Sequence, residues 1–213
     1  MVLPGVYAPQ ADTLLLAAAL RAERICPGMD VLEVCSGSGA LSAYAARLGA
    51  RVTAVDIGRR AALTTRINAM LAGRRVTVRR GDLTTAVAGR SYDLLFSNPP
   101  YVPSPLEALP RAGAARAWEA GRDGRALVDR ICAAAPGMLR PHGVLLMVHS
   151  GLCAEEETLL RLERAGLRAA VVERARIPFG PVLRERLPWL RRRGLVPPDE
   201  ESEELVVIRG EKR

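Results

Sequence analysis

Apolar and polar positions alternate along the chain in a way that predicts both strands and helices. Short apolar runs rich in β-branched residues predict seven strands, at residues 31–35, 52–56, 76–80, 92–97, 144–149, 167–174 and 204–209. Apolar residues at helical spacing predict helices at residues 12–23, 40–48, 59–71, 124–138, 155–165 and 182–193. This alternation is typical of a parallel sheet covered by helices. The chain is therefore predicted to be an α/β protein with a mostly parallel, seven-stranded sheet and helices on both faces.

The length of 213 residues suits one domain with a sizeable core, and we expect residues 1–213 to form a single domain. Residues 1–25 contain the N-terminal helix, for which Asp12 is the predicted N-cap. Residues 177–203 are expected to hold an Arg-rich helical insertion and an acidic linker before the last strand. The segment PPDEESEE at residues 197–204 has the composition of a loop.

Arginine dominates the charge of the chain, which has a formal net charge of +8 and a pI of about 10.1. Lys212 is the only lysine. The charge is compatible with an RNA-rich partner, although the arginine bias is also typical of a genome rich in G and C. The main basic cluster comprises Arg184, Arg186 and residues 191–193, and both a solvated helix face and a docking surface for RNA or an acidic protein remain open.

Membrane, metal and disulfide functions are not expected. No apolar run approaches the roughly 20 residues of a membrane helix, and residues 1–10 lack the features of a signal peptide, so a cytoplasmic location is predicted. His142 and His149 flank the apolar run GVLLMV and are interpreted as the two ends of a strand. The four cysteines are far apart and have no metal-ligand spacing; they are Cys26, Cys35, Cys132 and Cys153.

A glycine-containing turn, EVCSGSG from Glu33 to Gly39, follows the first predicted strand. Gly37 and Gly39 allow close approach of the backbone to a ligand because they lack a Cβ atom. The second strand ends at Asp56, whose carboxylate can accept hydrogen bonds from both hydroxyls of a ribose. Asp82 follows the third strand, where it can accept from an adenine amine. Because the ends of parallel strands meet at one edge of a sheet, the pattern predicts a nucleoside site.

The same turn argues against a nucleotide that carries a diphosphate. It lacks the GxGxxG spacing that places a pyrophosphate at a helix N-terminus. Glu33 precedes the turn, where its carboxylate would repel a diphosphate and attract an ammonium group. S-Adenosylmethionine contains a nucleoside and an ammonium group but no phosphate, and it is therefore the predicted cofactor.

The tetrapeptide Asn98-Pro99-Pro100-Tyr101 follows the fourth predicted strand. An amide or aromatic amine nitrogen is a poor nucleophile because its lone pair is delocalised. The side-chain oxygen of Asn98 and the carbonyl of Pro99 can accept both N–H hydrogens and turn the lone pair toward a methyl donor. The prolines would hold this arrangement rigid, and Tyr101 can cover the flat face of the acceptor. The motif predicts methyl transfer to a planar nitrogen.

Together these motifs resemble class I methyltransferases and, within them, the HemK family of protein-glutamine N5-methyltransferases. VLEVCSGSGALS is similar to the donor-binding motif, AVDI and GDL to the next two motifs, and SNPPYVP to the catalytic loop. VYAPQADTLLL at residues 6–16 and AWEAGRDGR at residues 117–125, followed by Asp129-Arg130, resemble the short branch of the family. The likeness covers residues 6–149 and implies a Rossmann-like class I methyltransferase fold.

The resemblance also implies roles for individual residues. Glu33 would hold the amino group of the donor and Asp56 its ribose, while Asp82 and Leu83 would hold its adenine. The donor-binding set is Thr13, Glu33, Cys35, Gly37, Gly39, Asp56, Asp82, Leu83 and Asn98, and the catalytic set is Asn98, Pro99, Pro100 and Tyr101. The N-terminal helix would pack on the donor site. The implied substrate is the glutamine of the GGQ loop in peptide chain release factors, and the implied partner is a small zinc-binding activator protein on an apolar edge.

Three features depart from the family pattern. Cys35 stands where the family usually has glycine, the helical N-terminal domain of the full-length bacterial enzymes is expected to be absent, and the segment around residues 182–193 is longer than in the short branch. Two other acceptors remain open, adenine N6 of DNA or RNA and the nitrogen of a small molecule. A donor-binding subunit without catalysis is a third alternative, which the intact motif at residues 98–101 disfavours.

Overall fold

The computed structural model describes residues 1–213 and contains one seven-stranded sheet flanked by six α-helices. The strands are β1 Asp30–Val34, β2 Arg51–Asp56, β3 Val76–Arg80, β4 Tyr92–Ser97, β5 Leu139–Ser150, β6 Leu167–Pro178 and β7 Ser202–Lys212. The helices are α1 Ala11–Ala22, α2 Ala40–Arg47, α3 Arg59–Leu71, α4 Ala126–Met138, α5 Glu155–Arg164 and α6 Pro181–Arg192.

The strand order is β3-β2-β1-β4-β5-β7-β6, and only β7 runs antiparallel to its neighbours. The first three strands extend the sheet in one direction from β1, and β4 then pairs on its other side. This reversal creates a crevice at the carboxyl ends of β1 and β4, where open α/β sheets bind ligands. The predicted α/β architecture is thus confirmed.

Two apolar clusters cover the two faces of the sheet. Alternate residues of a strand point to opposite faces, so Leu32 packs with Ile131 of α4 on one face, and Val31 packs with Leu16 of α1 on the other. The central strands are therefore apolar at nearly every position, as expected for a sheet covered on both sides. Each fully buried side chain of this size stabilises the fold by roughly 1.5–3 kcal/mol.

Several predicted boundaries were wrong near the antiparallel edge. Strand β5 begins at Leu139, and His142 lies inside it with a φ of 61°, so this histidine does not mark the start of the strand. Strand β7 begins at Ser202, which removes residues 202–204 from the predicted acidic loop. Glu203 of this segment is only 7% exposed. The long pairing of β6 with β7 extends both strands beyond their apolar centres, because backbone pairing does not require apolar side chains.

Helix α1 also begins differently from the prediction. Its N-cap is Gln10, so Asp12 lies in the first turn of the helix, where it is 3% exposed. The side chain of Asp12 is engaged by tyrosines from other segments and does not cap the helix. None of the helices combines the length and apolar character needed to cross a bilayer.

Candidate active site

A cavity of about 600 Å³ opens at the carboxyl ends of β1, β2 and β4. Its walls include every residue predicted for donor binding or catalysis except Gly39. The N-terminal segment around Tyr7 and the loop at residues 109–119 complete the walls. These predicted residues extend from Thr13 to Tyr101 in the sequence and face one space.

The turn after β1 is held in a shape that depends on glycine. Gly37 and Gly39 have φ angles of 51° and 74°, in the left-handed region that L side chains rarely adopt. A Cβ atom at Gly39 would lie 2.6 Å from Cγ2 of Thr65, so α3 packs directly on the backbone here. The hydroxyl of Thr65 donates to the carbonyl of Gly37 at 3.2 Å. Gly39 therefore determines the shape of the turn through its contact with α3, although it does not line the cavity.

Cys35 has a φ of 61°, which explains why a glycine is favoured at this position. A non-glycine residue in this region costs roughly 1–2 kcal/mol of strain. The side chain is partly buried and packs against the apolar cluster on the α4 face of the sheet. Burial raises the pKa of the Cys35 thiol far above its usual value, so the thiol stays protonated and unreactive near neutral pH.

Asp56 links the end of β2 to the glycine turn. One carboxylate oxygen accepts the N–H of Gly37 at 2.9 Å and the other accepts the N–H of Gly58 at 2.7 Å. Burial raises the pKa of the Asp56 carboxyl, while these N–H donors act in the opposite direction. A carboxylate has about four lone-pair sites, so two acceptor positions remain for a ligand.

Glu33 is the most deeply buried acid of the cavity, at 2% exposure. The hydroxyl of Ser42 donates to its side chain. Burial raises the pKa of Glu33 to about 8, and the nearby charge of Asp56 acts in the same direction. The carboxylate form of such a buried acid is strongly stabilised by a cationic ligand, because the ligand replaces the hydration that burial removed.

Asp82 and Leu83 lie at the end of β3. Asp82 forms an ion pair of 2.7 Å with Arg130 of α4, and both side chains are 45% exposed. Leu83 is buried and has a φ of 47°. Arg130 lines the cavity and was not predicted as a site residue, although it lies in the segment that resembled the family.

The segment Asn98-Pro99-Pro100-Tyr101 follows β4 and enters the cavity from the side opposite Asp56 in the strand order. The hydroxyl of Ser97 donates to the carbonyl of Val34 at 2.8 Å, which fixes the end of β4 beside the glycine turn. Asn98 and Pro99 are placed at the crevice by this pairing of β4 with β1.

Asp12 connects this loop to the N-terminal segment. Its carboxylate accepts hydroxyl hydrogens from Tyr7 at 2.7 Å and from Tyr101 at 3.1 Å. Burial raises the pKa of Tyr101 well above its usual value. Thr13, which was predicted to touch the donor, lines the cavity. Its hydroxyl donates a hydrogen bond to the Asp12 carboxylate at 3.1 Å. The importance of Asp12 was missed because its tyrosine partners cannot be found from helical spacing.

Comparisons with known proteins identify the family. The model of the methyltransferase small domain matches residues 2–108 of this chain. A protein of Methanocaldococcus jannaschii described as an N5-glutamine methyltransferase is 32% identical over 177 residues, which cover 83% of this chain and 88% of the relative. The chain belongs to the HemK family of class I methyltransferases. It is an S-adenosylmethionine-dependent methyltransferase, as predicted.

Two further relatives extend the comparison. The release factor glutamine methyltransferase of Bordetella pertussis is 37% identical over 175 residues, which cover 78% of this chain and 64% of the relative. The Mtq2–Trm112 complex of E. cuniculi, which methylates the termination factor eRF1, contains a chain of the same fold with a TM-score of 0.65. The two chains are 23% identical, and the match covers 98% of this chain and 99% of that one. The Rossmann-like fold predicted from the sequence is confirmed.

The packing of α3 on the glycine turn can be tested with two alanine substitutions. Gly39→Ala and Gly73→Ala both place a side chain at a left-handed φ, of 74° and 64°, but only Gly39 has atoms within 3 Å of the new Cβ. We expect Gly73→Ala to lower the free energy of unfolding by about 1 kcal/mol. Gly39→Ala should cost about 1–3 kcal/mol more, because the turn is overpacked. Urea unfolding measures the free energy of unfolding of both variants. Equal losses would show that α3 can move away from the turn without cost.

A second prediction concerns the pH dependence of donor binding. Because the pKa of Glu33 is about 8 in the free protein, donor binding near neutral pH should release a proton as the ammonium group stabilises the carboxylate. Donor affinity should then rise by up to about tenfold per pH unit between pH 6 and pH 7.5. Above that range the amino group of the donor itself begins to lose its proton, at a pKa of about 7.7–8.0.

Titration calorimetry at pH 7 in two buffers of different ionisation enthalpy measures the released proton. Glu33→Gln is the matched variant, and it should abolish both the release and the dependence on pH below pH 7.5. Proton release that persists in Glu33→Gln would assign it to another group. In the free protein, the contribution of Glu33 to stability is fully present below its usual pKa of 4.5 and is lost as the pH rises through about 8.

Proposed function

We propose that the chain transfers a methyl group to the side-chain amide nitrogen of a glutamine, and that this glutamine belongs to a peptide chain release factor in the cytoplasm. The observation that carries the proposal is the common cavity that Asn98 and Pro99 share with Glu33 and Asp56. Groups suited to an amide acceptor thereby lie beside groups suited to S-adenosylmethionine.

The residues of the cavity fit the donor. Burial raises the pKa of the Glu33 carboxyl, and the positive charge of the donor's ammonium group would stabilise its carboxylate form. Asp56 retains acceptor positions for the two ribose hydroxyls. Asp82 and the backbone of Leu83 stand at the next strand end, where they would hold the adenine. When bound, S-adenosylmethionine supplies an electrophilic methyl group.

Asn98 and Pro99 would activate the acceptor by holding its geometry. The side-chain oxygen of Asn98 and the carbonyl oxygen of Pro99 accept the two N–H hydrogens of the amide, which turns the nitrogen lone pair toward the methyl group. The nitrogen would form a bond to the methyl carbon as the bond from that carbon to the donor sulfur breaks, with the sulfur keeping the electron pair and leaving as a neutral thioether. One N–H proton would then pass to water, because the methylated nitrogen is far more acidic. No base is needed before the transfer.

The rest of the loop keeps this arrangement fixed. Two consecutive prolines restrict the backbone at residues 99–100, so little reorganisation accompanies the reaction. The hydrogen bond from Tyr101 to Asp12 joins the loop to α1. Tyr7 reaches the same carboxylate and lines the cavity on the side of the N-terminal segment.

The substrate assignment rests on the chemistry of the relatives. The M. jannaschii and B. pertussis proteins are both described as glutamine methyltransferases, and the second acts on release factors. Adenine N6 and small-molecule nitrogens present the same planar N–H group to an NPPY loop, so they remain the alternatives. The cavity contains acceptors for each of these groups, so the glutamine is favoured by family membership.

The first experiment offers labelled S-adenosylmethionine and a panel of acceptors to the purified chain. The panel comprises release factors of both types, the same factors with their GGQ glutamine changed to alanine, bulk tRNA, DNA and a metabolite extract. We expect label on the release-factor glutamine alone. Asn98→Ala should lower kcat by about 100-fold or more, because one of two preorganised acceptors is lost, beyond any change in donor affinity, which calorimetry measures separately.

The outcomes separate the alternatives. Label on tRNA, DNA or a metabolite in place of the release factor would overturn the substrate assignment and leave the methyltransferase activity. Full activity in Asn98→Ala would contradict the proposed chemistry of the loop.

We also propose that a small zinc-binding protein pairs with the edge strand β3, which has β2 as its only neighbour in the sheet. Beside this edge, at the end of α3, Met70 and Leu71 are 70% and 69% exposed. The Mtq2 chain that shares this fold was solved as a complex with Trm112. An open strand edge beside exposed apolar side chains suits a partner that adds a strand and covers them.

Affinity purification from the native cell tests the partner. We expect one small protein with bound zinc to co-purify with the wild type, and Met70→Glu combined with Leu71→Glu to lose it. Leu160→Glu on α5 is the control, because Leu160 is also an exposed apolar residue, at 39%, but lies beside the opposite edge strand β6. The absence of such a protein from the wild-type preparation would contradict the proposal.

A further inference from the structure

Helix α6 touches the loop that follows the Asn98 motif through one buried ion pair. The side chain of Arg186 is 16% exposed and that of Glu119 is 8% exposed, and the guanidinium contacts the carboxylate directly. Its other terminal nitrogen donates to the carbonyl of Pro103 at 2.8 Å. One guanidinium thus binds two separate segments, one at Pro103 and the other at Glu119.

These two segments form the wall of the cavity next to Asn98. The N–H of Val102 donates to the carbonyl of Trp118 at 2.7 Å, and the N–H of Ala120 donates to the carbonyl of Val102 at 3.1 Å. Val102, Trp118 and Glu119 all line the cavity. Any change in the distance between the two segments therefore changes the space beside the acceptor group.

An apolar cluster holds α6 against this wall. Phe179, Leu183 and Leu190 are buried together, and Val102 of the loop packs against them. The cluster is separate from the two that cover the sheet. Helix α6 is thus seated behind the acceptor loop, and Arg186 extends from it to the polar groups of the wall.

We propose that Arg186 is a positioning residue for the methyl acceptor, which fixes the segments at Pro103 and Glu119 at the spacing that the acceptor group requires. The proposal rests on the proposed function in so far as the wall beside Asn98 receives the acceptor. It gives one arginine of the basic cluster a place in the substrate site, as distinct from a solvated face or a docking surface for RNA.

The chemistry of the contact supports positioning over simple stabilisation. A guanidinium is a rigid fork that can donate in two directions at once, which the single ammonium group of lysine does less well. Buried ion pairs also add little net stability, because desolvation offsets most of the attraction. The defined geometry of the wall is therefore the main gain from burying this pair.

Hydrogen exchange measures the protection of backbone amides in this wall and requires no methyl acceptor. The reporters are the amide hydrogens of Val102, Ser104 and Ala120, which are bonded to Trp118, Gly121 and Val102 respectively. We expect Arg186→Met to speed their exchange by about tenfold or more while amides of β1 are unchanged. Arg184→Met, an exposed arginine on the same helix, is the control and should leave all of them unchanged. Unchanged protection at all three sites in Arg186→Met would overturn the proposal.

Kinetics provide the second measurement. Arg186→Met should lower kcat/KM for the methyl acceptor by about tenfold or more, because a small displacement of the acceptor is costly, and leave donor affinity within about twofold. Arg186→Lys tests a purely structural role, since it keeps a cation for Glu119. If the role is positioning, Arg186→Lys should keep the Tm of the wild type but not its full kcat/KM. Restoration of both by Lys would overturn the proposal.

The two measurements separate this proposal from the proposed function. If the release factor is not the substrate, faster exchange in Arg186→Met still supports a role in holding the wall, and the kinetics are then measured with whichever acceptor the panel identifies. If Arg186→Met does not fold, Arg186→Gln, which keeps one donor group, replaces it in both measurements with the same expected directions.

Discussion

The pairing of β1 with a strand on each side is the constraint on which the site depends. Val34 lies opposite Val55 of β2 and Ser97 of β4, so the turns after all three strands emerge at the same level. These strand ends carry the glycine turn after β1, the Asp56 carboxylate at the end of β2 and the Asn98 motif after β4. A shift of one residue in either register would exchange the side chains between the two faces of the sheet and move the end of one strand out of level with its neighbours. The packing of the sheet therefore fixes the relative positions of donor and acceptor groups.

The same packing determines the electrostatics of the cavity. Glu33 is buried and Asp56 is partly buried, and burial is the largest cause of the raised pKa at each. Placing two acids together in a buried site costs stability. The two acids are stabilised when a ligand brings positive charge. The site therefore favours a cationic ligand through its electrostatics, independently of the shape of the cavity. Asp12 differs, because two tyrosine hydroxyls and the backbone N–H of Thr13 already satisfy its carboxylate.

The sequence was sufficient to predict the donor turn, Asp56, Asp82 and Asn98, because each lies at or just after the end of a predicted strand and strand ends converge in a parallel sheet. The strained geometry of Cys35 agrees with the usual preference for glycine at that position. The links between distant segments were not predicted. Asp12 and Tyr101 are 89 residues apart, and neither strand order nor helical spacing brings them together. The extra length of β5, β6 and β7 was also missed, because strands can pair through their backbones without an apolar pattern of side chains.

The apolar stripe of helix α6 contains a sequence signal for the role of Arg186. Residues 183, 187 and 190 form the apolar stripe of the helix, and Arg186 lies within it, three residues after Leu183 and four before Leu190. An arginine inside such a stripe must find partners as the helix packs, because an unpaired buried charge is costly. Arg184 lies outside the stripe and is exposed. Arginines of one basic cluster therefore have different roles, and their position relative to the apolar stripe distinguishes them better than their number does.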